Sequence, residues 1–272
     1  MTSHAKRSPS IRKVSILMVG LLFLLSGVIM GKEAAAASGP AEHSDSMVSE
    51  KKADFLLGKP KWFLGLHTGL FFPKADSDLF DMVTSELTLE KSDFRAWDFG
   101  FDFGFHLHDR IGLVFRCDYF DRSARSEFRD YVDEQGLPIT QKTSFSQTSI
   151  TAGVKYSLTR RGRRLSEFAW LPSRIVPFVE CGIGTVHYSF EQSGDFVDSA
   201  TLEIFPATLK SSDWTEVGYL GGGTDIYLLR NIYLALDLRY SWASQGLGKD
   251  FTGFDDIDLS GLRVTAGINW HF

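Results

Sequence analysis

Two cysteines in 272 residues cannot build a disulfide framework, and only 8 prolines leave long stretches of backbone free to pair. Apolar runs are scarce too: one stretch near the N-terminus approaches the length of a spanning helix. Positive charge is in deficit, with 29 Lys and Arg against 34 Asp and Glu, which speaks against a nucleic-acid surface. The chain is rich instead in rings and in glycine, with 23 Phe, 8 Tyr, 6 Trp and 25 Gly. A hydrophobic share of 43% excludes a disordered chain. The length fits one domain of a little over 200 residues plus an appendage.

The appendage reads as a targeting segment. Lys6, Arg7, Arg12 and Lys13 precede an apolar run from Val14 to Met30, and Ala34 to Ala37 offer a small-residue cleavage site. Residues 1–37 are therefore expected to be a cleaved signal peptide, with an uncleaved anchor as the alternative. No Cys follows the run, which argues against lipoprotein processing. Cleavage would remove five basic residues and one acidic, leaving 24 against 33 and a mature charge of about −9. Residues 38–59 are polar and read as a flexible lead-in to a domain spanning 60–272.

From Lys61 onward the dominant signal has period two, the spacing of a strand with one apolar face. Trp97, Phe99, Phe101, Phe103, Phe105 and Leu107 share one side of a strand, and Asp98, Gly100, Asp102, Gly104, His106 and His108 the other. The split recurs in Ile232 to Trp242 and in Leu262 to Phe272. Eight such segments lie near 61–72, 96–108, 111–122, 145–159, 176–190, 214–229, 231–242 and 259–272. Tight connections at 108–110 and 230–231 suit hairpins, while 73–95, 123–144, 191–213 and 243–258 are long and polar. The connection at 160–175 is the exception, carrying Arg160, Arg161, Arg163, Arg164 and Arg174 around Phe168 and Trp170.

Periodicity alone does not say which face points outward, since a soluble barrel shows the same pattern. Volume decides it. An eight-stranded barrel is just wide enough for its own side chains, and one segment alone would add Trp97 and four Phe to the inside. The opposite parity carries Gly65, Gly69, Gly100, Gly104, Gly153 and Gly182, which suits a crowded lumen. Trp62, Trp97, Trp214, Trp242 and Trp270 all fall at segment ends, as in the aromatic girdles of a membrane barrel. The fold class expected is all-β, an eight-stranded antiparallel up-and-down transmembrane β-barrel.

Three stretches carry a resemblance: Pro177 to Gly184, Gly221 to Tyr227 followed by Arg230 to Leu234, and the closing Gly267-Ile268-Asn269-Trp270-His271-Phe272. Over residues 60–272 the chain resembles the outer-membrane β-barrel domain family of Gram-negative bacteria, the eight-stranded opacity-protein and OmpA/OmpX-type barrels. The resemblance implies an outer-membrane location. It also implies that Val264, Ala266, Ile268, Trp270 and Phe272 form the C-terminal signal read by the barrel-assembly machinery. Glu180, where the family more often has a small residue, and the long Arg-rich turn depart from that pattern.

On the inward parity, Asp98, Asp102, Asp118, Glu180, Asp225 and Asp237 face Arg116, Lys155, Arg239 and Arg263. Charges inside a narrow barrel must be paired, so these ten residues are expected to form a structural network; an ion path is the competing reading. His67, His106, His108 and His271 gather near one rim and invite a metal reading, although no Cys or carboxylate completes a familiar spacing. No metal, other cofactor or catalytic centre is expected. His187-Tyr188-Ser189 resembles the His-x-Ser of outer-membrane lipid A 3-O-deacylases, but Phe190 stands where that motif has Asn. Cys117 and Cys181 share the lipid-facing parity, with one strand between them, at a separation of about 10 Å that forbids a disulfide.

The function expected is a non-enzymatic scaffold that presents long extracellular loops for adhesion, envelope integrity or surface binding. A narrow channel and a deacylase-like hydrolase are the alternatives. The expected partners are outer-membrane lipid and lipopolysaccharide, the assembly machinery and an extracellular ligand taken by the loops. Loop aromatics such as Phe80, Phe94, Phe128, Tyr131, Phe196, Phe205, Phe251 and Phe254 are either contact points or packing between loops. For the Arg-rich turn, anionic headgroups, a periplasmic partner and plain solvation all stay open.

Overall fold

The computed structural model describes residues 56–133, 135–166, 169–198 and 201–272. The signal peptide, most of the lead-in and Phe168 of the Arg-rich turn lie outside the described residues. In chain order the strands are β1 (Leu56–Leu57), β2 (Trp62–Pro73), β3 (Ala96–His106), β4 (Ile111–Val132), β5 (Pro138–Ser157), β6 (Gly162–Arg164) and β7 (Ala169–Pro172). They continue with β8 (Ile175–Val197), β9 (Ile204–Leu229), β10 (Ile232–Trp242), β11 (Ser244–Gln245), β12 (Ile257–Asp258) and β13 (Gly261–His271). Among the described residues one α-helix, α1 (Asp78–Glu86), sits in the connection after β2, and short 3-10 turns lie at Lys91–Phe94 and Lys249–Phe251.

Eight strands close a barrel in the order β10-β13-β2-β3-β4-β5-β8-β9, with β9 returning to β10, and every pairing is antiparallel. Closure leaves no barrel edge for another chain to extend within the bilayer. The seam is fastened at the last residue: the Phe272 carbonyl accepts from the Lys61 backbone N–H at 2.6 Å, and the Phe272 N–H donates to the Trp62 carbonyl at 2.8 Å.

Outside, the alternation becomes a continuous apolar belt. Trp97 is 63% exposed, Phe99 57%, Ile183 75% and Leu66 69%, a surface that water would not tolerate and that acyl chains solvate. On β2, Trp62 and Phe72 bracket ten residues of rise, roughly 33 Å of strand or 25 Å across a bilayer at the usual tilt. Trp62, Trp270 and Phe272 stack beside one another at the short-turn end, with ring centroids 4.6 Å (Trp62–Phe272) and 5.4 Å (Trp270–Phe272) apart. Trp97, Trp214 and Trp242 are exposed at the other end.

Two stretches read as loops are mostly strand. β4 and β5 stay paired in register as far as Glu127↔Thr140 and, after a register shift, at Val132↔Pro138, and β8 and β9 stay paired as far as Val197↔Ile204. Their 20 to 26 residues exceed the roughly 9–11 needed to cross a bilayer. The apolar alternation fades past the bilayer because the outer face meets water there, while the ladder of backbone hydrogen bonds continues. The extension is one-sided, since β3 meets β4 only as far as Asp98↔Phe120 and β10 meets β9 only as far as Trp242↔Gly218.

The Arg-rich turn is likewise structured. β6 and β7 form a small hairpin, and β1 adds to it through Leu56↔Trp170 and Leu57↔Ala169, so the end of the expected flexible lead-in is a strand. Trp170 is thereby folded inward, 7% exposed, under the Lys59 ammonium.

Candidate functional site

The interior has three levels. In the middle lies an ion-pair lattice on the inward parity of neighbouring strands. Arg116 on β4 donates from Nε to Asp102 Oδ1 at 2.8 Å and from Nη2 to Glu180 Oε2 at 3.0 Å, and its Nη1 also meets Glu180. Arg239 on β10 donates from Nη2 to Asp118 Oδ1 at 2.8 Å and from Nε to Asp237 Oδ1 at 2.8 Å. Asp237 in turn reaches Arg116 Nη2 at 3.4 Å, joining the two arginines into one network. Lys155 pairs with Asp225 at 2.8 Å and stands 3.5 Å from the Phe178 ring centroid. Arg263 lies over the Phe71 ring at 4.3 Å and approaches Asp98 at 3.5 Å. The structure thus brings together all ten charged residues singled out in the sequence, each with a partner of opposite sign.

His67 is the member that the charge count left out. Its Nδ1 is 2.9 Å from Asp102 Oδ2 and its Nε2 2.9 Å from Asp118 Oδ1, so it ties the Arg116 cluster to the Arg239 cluster. A ring with a carboxylate at each nitrogen donates from both. The sequence places His67 inward but gives no sign that its two neighbours are carboxylates from β3 and β4. Gly100, opposite it in the β2–β3 register, makes the room: a Cβ there would collide with the imidazole.

The same residues do not fit a metal. Ligand atoms of His67, Asp98 and Asp118 lie within 4.8 Å of one another, yet Arg239 and Arg263 already sit on the two carboxylates and both imidazole nitrogens are occupied.

Above the lattice the lumen is aromatic, so glycine and charge are not its only filling. Phe71, Phe120, Phe145 and Phe190 point inward from four strands and are fully buried. Phe80 of α1 plugs them from above, edge-on to Phe145 at 5.6 Å and to Phe190 at 5.8 Å. Phe94 from the same connection and Phe251 from the one after β10 complete a hydrophobic cluster with Leu79, Val83 and Ile257. Of the loop aromatics, Phe80, Phe94 and Phe251 are therefore packing residues, and Tyr131 and Phe205 remain exposed at the hairpin ends. The signal was present in the sequence: Phe71 has the parity opposite to Trp62 and Phe72.

Below the lattice, Phe63, His106, His271 and Tyr233 stack across the bore, with ring centroids 5.1 Å (Phe63–His271), 5.4 Å (His106–His271) and 4.1 Å (Tyr233–His271) apart. Trp170 and Arg161 border the small space beneath them. His108 lies apart, exposed after the end of β3. Val264, Ala266, Ile268, Trp270 and Phe272, the residues expected to carry the assembly signal, all face outward along and just beyond β13. His187 lies against Trp214 at 5.1 Å, and no hydrogen bond joins it to Ser189 among the described residues. Cys117 and Cys181 are free and face the lipid side.

The chain is a membrane-embedded eight-stranded β-barrel. No known family model and no curated protein matches its sequence. Among solved structures it is similar to Neisserial surface protein A, at 14% identity and TM-score 0.42, over 78% of this chain and 96% of that one. It is similar to outer membrane protein OprG of Pseudomonas aeruginosa, at 14% and 0.41 over 80% and 100% of the two chains. A major outer membrane protein of Thermus thermophilus is similar at 11% and 0.44, over 79% and 100%.

Proposed function

We propose that this barrel resides in the outer membrane of a Gram-negative bacterium, short turns in the periplasm, and serves as a non-catalytic scaffold holding a rigid sheet outside the cell for binding. The observation that carries this reading is the combination of a filled bore with strands that continue past the bilayer. A solute path would need water through the middle, where an ion-pair lattice lies between two aromatic layers. The four extended strands rise on the order of 30 Å beyond the belt, farther than a barrel needs for its own stability. Loops and tips on a rigid support are where recognition is placed. Val264, Ala266, Ile268, Trp270 and Phe272 form the outward stripe of the last strand and would serve as the contact for the assembly machinery. Lipopolysaccharide surrounds the long-loop end.

The test has two arms. Full-length protein refolded into vesicles should pass neither ions nor small dyes. Deletion of 129–137 or of 198–204 should leave the heat-modifiable barrel intact while removing cell-surface or host-factor binding. Steady conductance in the intact protein, or binding unchanged by both deletions, would overturn the proposal.

A further inference from the structure

The short-turn end carries a charge pattern that neither sealing nor scaffolding explains. Each of its connections presents an exposed cation at the foot of the apolar belt. Lys61 precedes β2 beside Trp62, Arg110 lies in the β3–β4 turn beside Ile111, and Arg230 lies in the β9–β10 turn after Leu228 and Leu229. The β5–β8 connection adds Arg160, Arg163, Arg164 and Arg174, all exposed. Acids are few, and Glu167 of the β5–β8 connection lies outside the described residues. Asp109 is the one described carboxylate in these connections, and its side chain is taken by Lys59 while its carbonyl accepts from Arg161 Nε at 3.3 Å. None of the seven exposed cations has a carboxylate partner among the described residues. The opposite end is the reverse: the connection after β10 has Asp250, Asp255, Asp256 and Asp258 against Lys249.

Apolar side chains stand directly beside these cations. Leu158 is 43% exposed, Ile175 49% and Leu165 54%, next in sequence to Arg174 and Arg164 in the last two cases. A ring that offers aliphatic carbon to acyl chains and guanidinium one residue away matches the two parts of a phospholipid. The planar fork of arginine suits phosphate oxygens better than a lysine ammonium does.

We propose that this rim is a basic collar that gathers phospholipids with anionic headgroups from the periplasmic leaflet around the barrel. The β1-β7-β6 sheet fixes the backbone that carries Arg163 and Arg164 rather than leaving them on a loose loop. Each cation near an anionic leaflet contributes modestly, and the collar acts by number. The inference rests on the membrane-embedded orientation given above.

The experiment uses the full chain refolded in phosphatidylcholine vesicles and reads the immobilised fraction of spin-labelled phosphatidylglycerol against spin-labelled phosphatidylcholine. The unaltered protein should prefer the glycerol headgroup severalfold, with the preference falling at high salt. A variant with Arg160→Ser, Arg163→Ser, Arg164→Ser and Arg174→Ser should lose that preference while its heat-modifiable migration stays unchanged. Equal association of the two lipids in the unaltered protein, or a preference retained in the variant, would overturn the collar. Capture of isolated peptidoglycan by the same arginines without any lipid preference would also overturn it. Failure to insert into vesicles at all would instead bring down the membrane reading beneath it, and with it the collar.

Discussion

Arg239 holds Asp118 with two guanidinium nitrogens, at 2.8 and 3.2 Å, and both side chains are buried in the bore. The two residues are 121 positions apart in the chain, on β4 and β10. Removing one partner leaves the other charged and buried. Arg239→Met should therefore destabilise the barrel by about 3–5 kcal/mol. Adding Asp118→Asn should recover part of that loss, measured as urea midpoints of the refolded protein. A double variant as unstable as the sum of its single variants would mean that the pair does not act as one.

Gly100→Ala tests the space reserved for His67. The added methyl displaces an imidazole tied to Asp102 and Asp118, so the cost should exceed the usual price of overpacking, about 1–3 kcal/mol. In the His67→Ala background the cost should fall to what the remaining 2.9 Å approach to the Cys117 carbonyl demands. A full cost in both backgrounds would place the strain in the backbone instead.

Phe80→Ala should loosen the roof without unfolding the wall. The ring touches Phe94, Phe145 and Phe190 but belongs to a connection, and its loss should cost the cluster about 3–5 kcal/mol locally. Proteolysis within 74–95 should quicken while the barrel still migrates as a folded species. Equal protection of that connection in both proteins would show that Phe80 is not its anchor.

At the short-turn end the hydrogen bond from Lys59 holds the Asp109 carboxyl below its ordinary range. A depressed carboxyl contributes stability above the unfolded-state value, near pH 4, and loses it only as pH falls through the depressed value. The tie between the β1 approach and the β3–β4 turn should thus be constant from pH 8 to about pH 5 and weaken only in strong acid. Lys59→Gln should move the Asp109 titration upward, followed by carboxyl-carbon NMR. An unchanged midpoint would remove Lys59 as the cause.

Much of this architecture is legible in the chain. Phe99 against Asp98 and Leu236 against Asp237 fix parity wherever one face meets lipid, and eight such segments count the strands. The reading fails where that contrast disappears. Ser126, Gln141 and Thr143 are buried polar residues in strands whose outer faces are also polar, so 123–144 looks like a loop and is a hairpin. Partners were harder still. The sequence lists six acids and four bases inside, but that His67 bridges Asp102 and Asp118 depends on the register of three strands. The roof residue Phe80 shows the same limit, since nothing local tells a packing ring from an exposed one.

The continuation of β4, β5, β8 and β9 on one flank, with β10, β13, β2 and β3 ending near the bilayer, makes the exterior directional. In the orientation proposed above, what stands over the cell surface is a parapet rather than a crown. Antibodies raised against whole cells should divide into two groups, one obstructed by the wall and one not, according to the side from which each approaches.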